Sequence, residues 1–283
     1  RGYLAVLSPG TPARFIQGSG RRELAEAIFR DSTPLAARVI VNRVWKHHFG
    51  AGLVETPSNF GLQGEPPSHP ELLDDLAARF VANGWSLKWL HREILLSATF
   101  RQVSNASPKH RAVDPDNRLL GHMNRKRLEV EPWRDAILSA TGELDLRPGG
   151  APQDLSAKEN VRRTLYGTVK RRELDDLLRL YDFPDPNTHS PARFHTTTPL
   201  QQLFVLNSDF IDRQAAALVK RLRREAPGDL VGQVHRAYLL LYGRPPAADE
   251  MTAARDFLGS GTDETWHQYA QVLLARNELM FVN

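Results

Sequence analysis

Cysteine is absent from all 283 residues. Disulfides, thiolate zinc sites, thiol nucleophiles and c-type haem attachment are therefore excluded from this chain, and the redox compartment stays open. Long apolar runs are missing too, since none approaches the roughly 18 residues needed to span a bilayer. No basic-then-apolar leader opens the chain. It begins at Arg1 and not at methionine, as a segment of a longer precursor would. There is no G-x-S-x-G elbow, P-loop, dinucleotide fingerprint or H-E-x-x-H, so nucleophilic serine, nucleotide and zinc-protease chemistry lack sequence support. The two signs of charge nearly balance, 37 Lys and Arg against 33 Asp and Glu, and a net +4 falls short of the concentrated basic stripe of a nucleic-acid binder. Basic clusters at Arg125 to Arg127, Lys170 to Arg172 and Lys220 to Arg224 read as solvated faces.

What is present is 41% apolar and 25% charged residues, enough to bury a sizeable core. The apolar residues recur at helical spacing. Leu24 with Ile28 opens the series, with Ser19 placed to cap that helix, and Thr33-Pro34 reads as the N-cap and first residue of the next. That second helix runs to Phe49 and stops at Gly50. Its apolar residues cover more than half its circumference, which makes it a central helix. Residues 50–67 form an irregular loop rich in Gly and Pro, whose Leu53, Val54, Phe60 and Leu62 predict packing onto the body. Ser68 and Glu71 have capping-box spacing before a helix over 69–82, and Ser86 caps another.

A polar stretch over 101–118 is the best place for a subdomain seam in an otherwise single mainly helical domain, residues 1–283. Further helices are predicted near 131–141, from Thr198-Pro199, from Ser208, and in three more segments to the end. Leu165 to Val169 reads as a short strand. No internal repeat and no series of alternating strands is present, so the fold class is all-α: a compact multi-helix domain with long Gly/Pro-rich loops and at most a small β element.

Two regions attract chemical attention. On the second helix, Asn42, Arg43, His47 and His48 interrupt an apolar surface. Adjacent histidines point about 100° apart and do not converge on one ion, so no metal site is expected there. His48 reads as a hydrogen-bonded core residue and His47 as a surface one. A buried Arg43 would need carboxylate or carbonyl partners. It would pin the Gly-rich loop or the Asp182 to Asn187 run, or else hold an anionic or sugar ligand. Asp182 and Asp185 are the best carboxylate pair, on a breaker-rich loop with Asn187, followed by His189, His195 and three threonines. Paired carboxylates can serve as acid and base in glycoside hydrolysis, but aspartates beside prolines are also common turn formers. A pocket joining Arg43, His69 and one of these aspartates would favour an enzyme.

The strings ARVIVNRVWKHHFGAGLVETPSNFG, GEPPSHPELLDDLAARF, GWSLKWLHREILLSATFRQ, DPDNRLL, YDFPDPN, TTTPLQQLFVLNSDF, LYGRPP and ARNELMFVN occur in this order. Together they resemble the domain of unknown function at the C-terminal end of planctomycete proteins that carry a planctomycete-type cytochrome c module. The resemblance spans nearly the whole chain. It implies export to the periplasm or cell envelope, and a haem held upstream, since this segment has no cysteine and no cofactor site of its own. The cytochrome module or a polysaccharide is the implied partner. Three readings follow: a binding or assembly module, a glycan-active enzyme using Asp182, Asp185 and His195, and, last, nucleic-acid binding through the basic clusters.

Overall fold

Wherever apolar residues recur at helical spacing, the chain is helical. A computed structural model describes residues 1–259 and 261–282, and among them it contains twelve α-helices and a single two-residue strand pair, Lys126–Arg127 with Phe281–Val282. The fold is all-α with a small β element. No helix among the described residues is long and apolar enough to cross a membrane. The chain divides into two units, Arg1–Lys126 and Arg127–Val282.

In the first unit α1 (Arg21–Asp31), α3 (Pro70–Ala82) and α4 (Leu87–Leu96) pack on α2 (Thr33–Phe49), and the short α5 (Pro108–Val113) follows. Ala37, Val41, Trp45 and Phe49 of α2 fall four residues apart and are buried on one stripe. Leu73, Leu76 and Phe80 of α3 and Leu90 and Ile94 of α4 close over it. Each large side chain buried there contributes roughly 1.5–3 kcal/mol.

The helix starts differ in detail from the sequence reading. Gly20, at φ +76°, and not Ser19, precedes α1. Ser32 precedes α2, and the Thr33 hydroxyl turns back to the Phe29 carbonyl. The Ser68–Glu71 capping box does not form; α3 begins at Pro70, while the Ser68 amide donates to the Leu53 carbonyl at 2.8 Å. A buried loop carbonyl has taken the capping residue. Ser86 does cap α4, accepting from Trp89 N.

The Gly/Pro loop is held by one side chain. Asn42, wholly buried, donates from Nδ2 to the Val54 carbonyl at 2.9 Å and accepts from the Val54 amide at 2.8 Å. Both polar groups of a buried residue are thereby satisfied. Gly52 permits this approach, because a Cβ there would lie 2.6 Å from the Val54 carbonyl oxygen and 2.8 Å from Asn42 Oδ1. Leu53 and Val54 are buried as expected, but Leu62 projects fully into solvent. The polar stretch 101–118 lies inside this unit, where Ser107 caps α5 and the Asp114 carboxylate accepts from the Arg118 and Leu119 amides.

In the second unit α9 (Asp209–Glu225) is central, with α6 (Val130–Thr141), α8 (Pro199–Asn207), α10 (Leu230–Tyr242) and α12 (Asp263–Ala275) packed on it; α7 (Asp176–Leu180) and α11 (Ala248–Leu258) complete the set. Thr198 and Gln201 form the capping box of α8, and Ser208 caps α9. Residues 165–169 do not form the expected strand. A single turn of 3-10 helix, Thr164–Tyr166, occupies their start, with one isolated bridge from Gly167 to Gln153.

An ionic network ties α10, α11 and the chain after α12. Arg244 forks onto Glu250 at 2.7 and 2.9 Å and onto Glu278 at 2.6 and 2.8 Å, and Arg276 reaches Glu250 at 2.8 Å. The hydrogen bonds from Arg244 outweigh partial burial and hold the Glu250 pKa down to about 2.

Two outcomes are expected. Asn42→Ala strands the Val54 amide and carbonyl and should cost roughly 3 kcal/mol, read from urea midpoints; a loss below about 1 kcal/mol would remove Asn42 as the loop's anchor. For Glu250 the folded pKa lies below its ordinary value of 4.5, so the unfolded state binds more protons. The network's contribution is complete above the unfolded pKa and is lost as pH falls toward the folded one. Stability should therefore drop more steeply through this acid range in the native chain than in Glu250→Gln, and parallel curves would refute the assignment.

Candidate binding site

The second unit builds its clefts around α6. Val130, Trp133, Ile137, Leu138 and Ala140 face the core, with Trp133 packed on Tyr181 at 5.1 Å between ring centres. Its charged residues are Glu129, just before the helix, then Glu131, Arg134 and Asp135. Consecutive helical positions diverge by about 100°, so Arg134 and Asp135 line two different clefts.

Thr164 joins them. Its amide and hydroxyl both donate to Asp135 Oδ1 at 2.7 Å, while the same hydroxyl accepts from Arg134 Nη1 at 3.2 Å. Arg134 donates further to the Arg162 carbonyl at 3.0 Å and to the Asn160 carbonyl. Only 1% of Arg134 is exposed. Burial pushes its pKa down, against the favourable charges of Asp135 and Asp175 and with the repulsion of Arg213. The pair thus fastens the segment 160–164 to α6.

The larger cleft, about 690 Å³, has an apolar floor that includes Leu144, Leu155 and Leu178, with the exposed Leu165 and Val169 at its edge. Its rim is ionic. Arg193 forks onto Glu131, Nη1 to Oε2 at 2.7 Å and Nη2 to Oε1 at 2.8 Å, and Nη1 lies 3.1 Å from Glu129 Oε2. The same guanidinium sits 4.8 Å from the centre of the Phe183 ring. Burial works against the Arg193 charge, but the Glu131 hydrogen bonds and the charges of Glu131 and Glu129 outweigh it and raise its pKa. Arg163, 3.5 Å from Asp135, completes the rim.

Asp182 and Asp185 shape the loop that carries Phe183 and Arg193. Asp182, in the left-handed region at φ +61°, accepts from the Thr196 amide at 2.8 Å and the Thr196 hydroxyl at 2.9 Å, closing the base of the loop. Asp185 accepts from the Asn187 amide at 2.8 Å, and Asn187 Nδ2 reaches the Arg171 carbonyl at 2.9 Å. Neither aspartate lines the two clefts beside α6. His195 is exposed.

The remaining candidates lie in the first unit. Arg43 is exposed and makes no hydrogen bond or ion pair among the described residues, contrary to the expectation that it is buried under the loop. One position along the helix, Asn42 pins the loop. His47 is exposed, with its carbonyl accepting from Lys126. His48 is part-buried, its Nε2 2.7 Å from His91 Nδ1. Burial, followed by the charges of His91, Lys126 and His47, lowers its pKa. His69 stands before α3 with Nδ1 3.0 Å from Ser68 Oγ; Ser68, but not His69, lines a small cleft of about 250 Å³ with Trp45, Gly52, Glu55, Asp116 and Asn117. No group of three or more His, Cys, Asp or Glu side chains among the described residues is arranged to hold a metal.

Glu129, Glu131, Arg134 and Arg193 escaped the sequence reading. Arg134 did leave a signal: it falls on the stripe of Val130, Ile137, Leu138 and Thr141, where helical spacing requires burial.

The protein defined here is an all-α domain with ligand-sized clefts around a charged helix. The family model described as "PSD1: Protein of unknown function (DUF1553)" matches residues 20–258, and the chain belongs to that family. No curated protein and no solved structure matches it.

Arg193→Ala should release the loop 183–195 and cost roughly 2 kcal/mol. Thermolysin should then cut that loop faster, and Arg193→Lys should restore little, since an ammonium cannot fork. Unchanged cleavage would show that the loop is held by other contacts.

Proposed function

We propose that the chain is a binding or assembly module of an exported polypeptide, and that it takes its partner in the larger cleft beside α6. The observation that carries this reading is the pairing of an apolar floor with a fixed ionic rim, in which one guanidinium holds Glu131, Glu129 and the Phe183 ring together. Such a cleft offers burial for affinity and preset charges for orientation. Two carboxylates held on one arginine are suited to positioning more than to carrying a proton in turn. The strings that resemble planctomycete cytochrome-bearing proteins support the partner: a haem module elsewhere in the same polypeptide, or a polysaccharide to which it is delivered.

The test uses Leu165→Arg and Val169→Arg, at exposed positions on the cleft edge where folding should be unaffected. Calorimetry against soluble cellulose, xylan and chitin oligosaccharides and against a c-type cytochrome module should give binding that either substitution weakens about tenfold, or 1.4 kcal/mol. No binding in either arm, or binding indifferent to both substitutions, overturns the proposal. Turnover of an oligosaccharide that Glu131→Gln abolishes would replace it with a glycan-active enzyme centred on Glu131 in place of Asp182 and Asp185.

A further inference from the structure

The second cleft beside α6, about 400 Å³, is lined by Arg134, by residues 154–161, by α7 and by the start of α9. By count its lining is neutral, with five cations and five carboxylates. The two sets are not equally committed. Asp154 accepts from the Ser156 amide at 3.0 Å and its hydroxyl at 2.8 Å, Asp175 caps α7 through the Leu177 amide at 2.9 Å, and Asp176 binds Arg179 at 2.5 Å. Asp209 lies 3.9 Å from Lys158. Glu173, exposed, makes no hydrogen bond or ion pair among the described residues.

The cations are less well matched. Arg134, 99% withdrawn from solvent, gives its hydrogen bonds to two carbonyls and a hydroxyl, and to no carboxylate. Arg213, half-buried one turn into α9, makes no hydrogen bond or ion pair among the described residues, and its charge acts repulsively on Arg134. The charges of Asp135 and Asp175 act on Arg134 more strongly than that of Arg213 does, so the cation left without a carboxylate of its own is Arg213, in a cleft where partial desolvation favours an anionic partner. The Ser208 side chain, at the start of the 17-residue α9, lines the same cleft with a hydroxyl hydrogen to give. Phe210 lies 5.4 Å under Arg134 and, with Phe204 and Leu155, supplies an apolar wall.

We propose that this cleft is a binding site for a small oxyanion carried on an apolar or aromatic body, with Arg213 meeting the anion, the buried Arg134 adding its charge from within the wall, and Phe204 and Phe210 holding the body. The site lies on the other side of Leu155 from the cleft assigned above, since that residue lines both, and either assignment can fail without the other. Arg134 gives the site its fixed charge, because its remaining bonds lock the guanidinium in place. Arg213 is the adjustable partner. Phosphate, sulfate and carboxylate share the chemistry that a guanidinium recognises, and they differ in charge and shape.

The test is calorimetry and thermal shift on the full chain with phenyl phosphate, phenyl sulfate and benzoate in separate arms, and with inorganic phosphate as the anion alone. At least one aryl anion should bind with a Kd near or below about 1 mM. It should bind more tightly than inorganic phosphate and more weakly as salt rises. The strongest arm identifies the oxyanion. Arg213→Ala, at a position with no partner to lose, should weaken binding about tenfold, and Arg213→Lys should recover part of it. Arg134→Ala removes the anchor of residues 160–164 and is expected to unfold, so it is not used. Absence of binding in all arms up to about 10 mM, or affinity unchanged by Arg213→Ala, overturns the proposal.

Discussion

Backbone polar groups that leave water must find partners, and in this protein helical side chains supply them. Long stretches rich in Gly and Pro press against a hydrophobic core without strand or helix ladders to satisfy their amides and carbonyls. Asn42 does this for the loop after α2, through a reciprocal pair of bonds to Val54. Arg134 and Asp135 do it for residues 160–164. Arg162 extends the same pattern to an exposed stretch, donating to the carbonyls of Arg147, Gly149 and Ala151 while lying 4.2 Å from the centre of the Tyr166 ring. Without Asn42, Arg134 and Asp135 the loops would carry unpaired buried groups at a cost of about 1–3 kcal/mol each.

The clefts follow from the same device. Loops fastened at a few points leave hollows between the points, and the fastening side chains line them. Arg134 is both the bolt of one segment and the charged wall of a cleft. Arg193, held by Glu131 and Glu129, fixes the loop whose base Asp182 closes, and so sets one side of the other cleft. Structural and recognition roles are joined in single residues. An arginine fixed by its neighbours presents charge at a defined place, and recognition benefits from that preorganisation.

The helices were legible because burial selects for periodicity. The central character of α2, the stop at Gly50 and the caps at Ser86, Thr198 and Ser208 could all be read from spacing and residue type. Where the reading failed, a distant group had outbid a local one. Ser68 had the spacing for a capping box, but its groups went to the Leu53 carbonyl. Residues 165–169 had strand composition, but Asp135 draws Thr164 onto α6 and a helical turn follows. Arg43 and Asn42 are neighbours on a helix whose phase the sequence could not fix to within one residue, and the buried one proved to be Asn42.

By itself, then, the sequence determined the helical class, the places where helices stop, the absence of thiol chemistry and the residues from which a site could be made. These depend on local preference and on period, which a chain carries in its order of residues. Tertiary structure decided which charges meet. Glu131 and Arg193 are 62 positions apart, and Arg134 reaches Asn160 across 26. Sequence spacing holds no information about such distances, because they are fixed only when loops fold back and their backbone groups compete for the few polar side chains within reach.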